Sequence, residues 1–244
     1  MVINTKNLAR KIIFAAIFLA AVIAFGIFAK NAVNKENQPS SAQTASELKE
    51  EKKTDVAGIE LSKVQDSDIV FGDASAPVTM IEYASLSCPH CASFYSEAFN
   101  SIKAEYIDTK KVKFVYRDFP LNQPALNAAM VALCHYRSVG SPEKYHDFIR
   151  ILFRTQESWA FGPDFVNKLS SIAKLDGMSE EVFNNCLKDT KLQEDILKAR
   201  LDATKMLEIQ STPSFIINGE LIGGFGGLTE IKKILDRKIL ESKK

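Results

Sequence analysis

Four residues, Cys88-Pro89-His90-Cys91, constrain this chain of 244 residues more than any other stretch, because of what flanks them. In Thr79 to Ser85 the small or apolar residues outnumber the polar ones and the alternation is loose, which reads as a strand in the middle of a covered sheet. Ala92 to Ile107 carries Phe94, Tyr95, Ala98, Phe99, Ile102 and Tyr106 at helical spacing. The cysteines therefore fall where a strand turns into a helix. A helix N-terminus favours an anion through its free N–H groups and its dipole, and the first cysteine lies closest to both. Cys88 is thus expected as a thiolate, ionising below the ~8.5 of a free thiol. His90 adds a donor beside it and, once protonated, a positive charge. Cys91, one turn along, is the natural resolving thiol. A stabilised thiolate stabilises the reduced pair and makes its disulfide a stronger oxidant.

Two plainer readings compete with redox chemistry. A C-x-x-C can be half of a zinc site, but Cys134 and Cys186 are isolated and no second C-x-x-C or spaced His pair completes one. No metal and no cofactor is expected. A purely structural disulfide between Cys88 and Cys91 would close almost no loop and add little stability.

Lys6, Arg10 and Lys11 open the chain without an acid, and Ile12 to Ala29 then runs eighteen residues without a charge. This pattern reads as an export signal, cleaved or kept as a membrane anchor. The apolar run is long for a signal peptide and no clean cleavage site follows, which favours an anchor through residues 12–29 in the inner membrane. Residues 30–58 hold hardly a large apolar side chain and read as a flexible tether. Setting aside its five basic and five acidic residues and the three N-terminal basic ones leaves 23 basic against 25 acidic, a net of −2. Such a balance gives no footing to nucleic-acid binding.

The folded part opens with a short strand at Ile69 to Phe71, followed by a turn into the central strand. Lys111 to Arg117 alternates and reads as the next strand, completing a strand-helix-strand unit with a parallel pair. From Asn122 to about Ile209 the chain is helical. Its apolar stripes run through Leu126, Met130, Leu133 and Cys134, through Phe148, Ile149, Leu152 and Phe153, through Phe165, Val166, Leu169 and Ile172, and through Val182, Phe183, Cys186 and Leu187. Ser214 to Ile217 and Glu220 to Ile222 flank Asn218-Gly219, a hairpin signal, and Leu228 to Leu240 is a last amphipathic helix. Cys134 and Cys186 both lie on apolar stripes, so both are expected in one small core. In an oxidising compartment they would form a second, structural disulfide; two buried free thiols are the alternative.

The order of elements, the C-x-x-C at the first strand-to-helix turn, Glu82 six residues upstream, the run Tyr116-Arg117-Asp118-Phe119-Pro120-Leu121, and Thr212-Pro213 before Ser214 to Gly219 together resemble the DsbA family of exported thiol-disulfide oxidoreductases. The resemblance extends over roughly Ile69 to Leu240. It implies an α/β protein, a thioredoxin fold with an inserted all-helical domain: residues 1–29 signal or anchor, 30–58 tether, 59–121 first thioredoxin-like part, 122–209 helical insertion, 210–244 second part. It further implies an enzyme that introduces disulfides into exported, periplasmic proteins, with Cys88, Pro89, His90 and Cys91 catalytic. Thr212 and a cis Pro213 would line the substrate groove. Glu82 would relay a proton under Cys91, with Arg117 as its partner. Partners would be reduced or unfolded exported proteins and a membrane reoxidase resembling DsbB. An isomerase or reductase of the same compartment, or a tethered peptide-binding chaperone, are the alternatives. Thr in place of Val before the proline departs from the family's pattern and bears on peptide preference.

Overall fold

The computed structural model describes residues 58–243; the expected signal or anchor, and the tether up to residue 57, lie outside them. Among the described residues no helix is long and apolar enough to cross a membrane. The described residues open with a helical turn at 58–61, ahead of the point at which the apolar pattern suggests a folded start. Among the described residues five strands form one sheet: β1 (Val70–Phe71), β2 (Val78–Ala84), β3 (Val112–Asp118), β4 (Ser214–Ile217) and β5 (Glu220–Gly223), in the order β1-β3-β2-β4-β5. β2 runs parallel to β3 and antiparallel to β4, and β4 and β5 form the hairpin. As its predominance of small and apolar residues implies, β2 sits in the middle and is covered on both faces.

Strand alternation divides two cores. Val78, Met80 and Ala84 of β2, Phe114 of β3 and Phe215 of β4 face one cluster, which also holds Cys88 and Cys91. Ile81, Tyr83, Val115 and Ile216 face the other. Between β2 and β3, helix α1 begins at Pro89–Phe94 and continues through π-helical turns at Tyr95–Phe99 and Lys103–Ile107 that flank Asn100–Ile102. Six helices separate β3 from β4: α2 (Gln123–Val139), α3 (Pro142–Arg154), α4 (Gln156–Trp159), α5 (Phe165–Leu175), α6 (Glu180–Leu187) and α7 (Thr190–Met206). Their boundaries follow from side-chain chemistry. Asn122 caps α2 by accepting from Ala125 N–H at 3.0 Å, and that helix stops at Gly140, whose φ of 64° suits glycine. Ala203 and Leu207 at the end of α7 cover the second face of the sheet, whereas Ile231 and Leu235 of α8 (Leu228–Glu241) join the first. One stripe is corrected: Val182 is 39% exposed, because α6 turns Phe183 and Cys186 inward instead.

Cys134 of α2 and Cys186 of α6 are bonded, with Cα atoms 6.1 Å apart across a sequence separation of 52. The chain-entropy model assigns such a loop about 4 kcal/mol, and measured disulfides commonly give 2–4. Cys134→Ala with Cys186→Ala should therefore lower unfolding free energy by roughly 2–4 kcal/mol in urea titration. A change under about 0.5 kcal/mol would show that the bond adds nothing to the packing around it.

Candidate active site

Cys88 caps the N-terminus of α1 in an extended conformation, φ −85° and ψ 120°, and Pro89 takes one of the first helical positions. There its fixed φ suits the helix and its missing N–H has no intrahelical partner to lose. Cys88 N–H donates to Ser85 O at 2.9 Å, and Ala92 N–H donates to Cys88 O at 3.1 Å, so the turn is tied at both ends. Both cysteines are free thiols. Cys88 keeps 5% of its surface and Cys91 none, so an incoming sulfur can reach only Cys88.

The segment after α7 closes over this thiol. The Thr212–Pro213 bond is cis, Cys88 Sγ donates to Thr212 O at 3.3 Å, and Gly224 N–H donates to Pro213 O at 2.8 Å. Donation from the Cys91 thiol is the largest cause that lowers Cys88 to about 5; the Thr212 side-chain hydroxyl and the main-chain N–H groups of Cys91 and His90 add to it, against burial. Cys91 moves the other way. Burial first, then its own donation to Cys88 and the nearby Glu82, keep it protonated well above the usual thiol range. The contribution of His90 differs from the expectation: its side chain is exposed, and it acts on the sulfur through its main-chain N–H.

Glu82 is fully buried. The strand register sets it beside Tyr116 of β3 and Phe215 of β4. Burial pushes its carboxyl well above the ordinary range; the Tyr95 hydroxyl opposes this, and the Cys88 thiolate reinforces it. Both carboxyl oxygens and the hydroxyls of Tyr95 and Tyr116 lie buried without a hydrogen bond of good geometry. The expected Glu82–Arg117 pairing is not formed. Tyr116 takes the position beside Glu82, and alternation along β3 sends Arg117 to the opposite face. There Arg117 Nε and Nη2 donate to Asp68 at 2.9 and 2.6 Å, Nη1 to Leu61 O and the Tyr83 hydroxyl at 2.5 Å each, and Nη2 to Lys63 O at 2.7 Å. Arg117 is a clamp on residues 61–68.

Three participants carry no signal of this role in the sequence. Tyr95 reads as one more core aromatic, and Asp68 stands in an ordinary polar run. Gln156 comes from the helical insertion, where its Nε2 donates to Leu86 O at 2.8 Å and Cys88 O at 3.0 Å. A contact across 68 residues has no local pattern. Beside Pro89 and Ala92 a cleft of about 1020 Å³ opens toward Arg150, Arg154 and Glu157. Among the described residues no group of three or more His, Cys, Asp or Glu could hold a metal ion.

A redox-capable pair of thiols at a helix start, on a central strand and against a cis-proline, defines a thioredoxin-type protein. The family model described as Thioredoxin matches residues 64–237. A protein-disulfide oxidoreductase of Rickettsia bellii is 32% identical over 74% of this chain and 68% of its own. The crystal structure of alpha-DsbA1 from Wolbachia pipientis superposes with a TM-score of 0.70 at 32% identity, covering 75% of this chain and 96% of that one. BdbD of Bacillus subtilis, in its oxidised form, gives 0.63 at 26% identity, covering 70% and 92%. The chain belongs to the thioredoxin family, among its DsbA-type protein-disulfide oxidoreductases. It is an enzyme of thiol-disulfide exchange, as the resemblance in its sequence implies.

Proposed function

We propose that this enzyme works as an oxidant, passing a Cys88–Cys91 disulfide to pairs of thiols in exported proteins. A client thiolate attacks Cys88 Sγ, the Cys88–Cys91 bond breaks, and Cys91 leaves and takes a proton. The client's second thiolate then attacks the client sulfur of the mixed disulfide, forming the client disulfide and expelling Cys88 as a thiolate. The client has lost two electrons and the enzyme pair has gained them. Glu82, protonated and buried under Cys91, is the donor for its departing sulfur, and Thr212 with Pro213 lines the groove that receives the client chain. Reoxidation falls to a membrane partner resembling DsbB, with residues 12–29 holding the enzyme at the inner membrane on the periplasmic side. The observation that carries the reading is the unequal placement of the two thiols, Cys88 at the helix start with some surface left and Cys91 sealed behind it, which holds the first low and keeps the second protonated. An isomerase or a reductase gains nothing from so strongly favoured a reduced state.

Equilibration of the protein with glutathione tests the direction. Each 30 mV is about tenfold for this two-electron couple, and a pair that stays oxidised in reducing glutathione buffer, as a thioredoxin-like reductant does, would sink the proposal.

The same thiol makes stability depend on pH. A sulfur ionising near 5 when folded, against ~8.5 when unfolded, stabilises the folded reduced form by up to roughly 5 kcal/mol. The folded value is the depressed one, so the gain is complete above about pH 8.5, still roughly 3 kcal/mol at pH 7, and lost as pH falls through 5. The oxidised form has no such titration. Urea midpoints of both forms should accordingly converge between pH 7 and 4; a gap that stays constant would place the Cys88 titration elsewhere.

A further inference from the structure

Gln156 is one of the few polar side chains in the core. Its amide nitrogen spans the two carbonyls that flank the redox turn, Leu86 O at 2.8 Å and Cys88 O at 3.0 Å. The element that carries it is pinned: fully buried Trp159 donates its indole N–H to Leu152 O of α3 at 3.0 Å, Thr155 Oγ1 donates to Ile151 O at 2.8 Å, and Ala160 N–H donates to Gln156 O at 2.8 Å. We propose that Gln156 is a positioning residue for the exchange reaction, through which the helical insertion fixes the main chain around Cys88 and so the acidity and reach of its sulfur. The proposal rests on Cys88 being the exchanging thiol.

Cys88 O already accepts the first helical bond, from Ala92 N–H. A carbonyl has two lone pairs, and the second donor holds the plane of the Cys88–Pro89 peptide in one orientation. That peptide leads directly into the His90 and Cys91 N–H groups that stabilise the thiolate. Leu86 O lies in the turn beyond β2, outside the sheet ladder, and Gln156 supplies it with a donor that a buried carbonyl needs. Without the amide, Leu86 O loses its side-chain donor and Cys88 O is held by Ala92 N–H alone, so both carbonyl dipoles can tilt their negative ends toward the sulfur and disfavour its charge. Gln156 also lines the cleft beside Pro89, so it touches both the turn and the surface next to it.

The test uses the purified full chain and three readouts: Cys88 titration by thiolate absorbance, the glutathione equilibrium, and thermal unfolding. Gln156→Met keeps length and bulk and removes the donor. It should raise the Cys88 acidity midpoint and lower the equilibrium constant for client oxidation, each by about tenfold in the corresponding constant, the size of effect set by losing buried hydrogen bonds. Gln156→Glu puts an acceptor opposite two carbonyls, and its effect should exceed that of Gln156→Met and grow with pH. Should Gln156→Met fail to fold, Gln156→Asn retains an amide too short to reach both carbonyls, and the same shift is expected of it. A lower melting temperature with unchanged titration and unchanged glutathione equilibrium would make Gln156 a packing residue and overturn the proposal. An unaltered chain that oxidises no thiols would instead overturn the reading of Cys88, independently of Gln156.

Discussion

Cys88→Ser should abolish thiol oxidation and capture no clients, whereas Cys91→Ser, equally unable to turn over, should accumulate mixed disulfides. Neither variant can form the internal disulfide, so both lose turnover; the difference between them lies in which sulfur remains. In Cys91→Ser the remaining sulfur is the one that keeps some surface and lies beside the Cys91 and His90 main-chain N–H groups, which favour its thiolate. It can attack or be attacked, and nothing stands behind it to resolve the adduct. In Cys88→Ser the remaining sulfur has no exposed surface and is held protonated by burial. It is out of reach of any client. Non-reducing gels followed by mass spectrometry of the trapped species read the outcome directly, and clients recovered chiefly on Cys88→Ser would reverse the roles of the two cysteines.

Arg117→Ala should cost about 3–5 kcal/mol of stability while leaving the exchange chemistry of the folded protein intact. The side chains of Arg117 and Asp68 are only 11% and 8% exposed. Removing one partner of a buried ion pair leaves the other charge uncompensated, which is what makes such losses large. Two main-chain carbonyls and the Tyr83 hydroxyl lose their donor as well. For a domain of this size the loss corresponds to roughly 10 °C or more in Tm. Asp68→Ala should cost a similar amount, and the double substitution should cost clearly less than the sum, since the pair shares one interaction. Activity separates this clamp from a role in proton transfer. A folded Arg117→Ala protein with normal stability but crippled oxidation would return Arg117 to Glu82's side of the mechanism.

The residues that were legible in the sequence are those whose role is local. Cys88, Pro89 and Cys91 could be placed because a strand, a turn and a helix start are signalled within about twenty residues. Asn218 and Gly219 mark the hairpin in the same way, and the loose alternation of mostly small and apolar residues in β2 marks a central strand. The acidity of Cys88 was foreseeable in direction from the helix start alone. Its largest cause, the thiol of Cys91, and the share taken by Thr212 depend on side-chain placement that no spacing encodes.

Arg117 shows where such reading stops. A basic residue on the strand next to a buried acid invites a pairing, but in a sheet a shift of one residue reverses the face. The register puts Glu82 opposite Tyr116 and Tyr83 opposite Arg117, and that register is set by packing over the whole sheet. The class of chemistry and the order of the elements follow from short stretches of chain, since backbone preferences, turn residues and apolar periodicity act over a few residues. Which groups surround the sulfur depends on packing between distant segments. Thr212 lies 124 residues away along the chain and Gln156 lies 68 away, and what brings them to Cys88 is the burial of two core faces rather than any preference of the intervening chain.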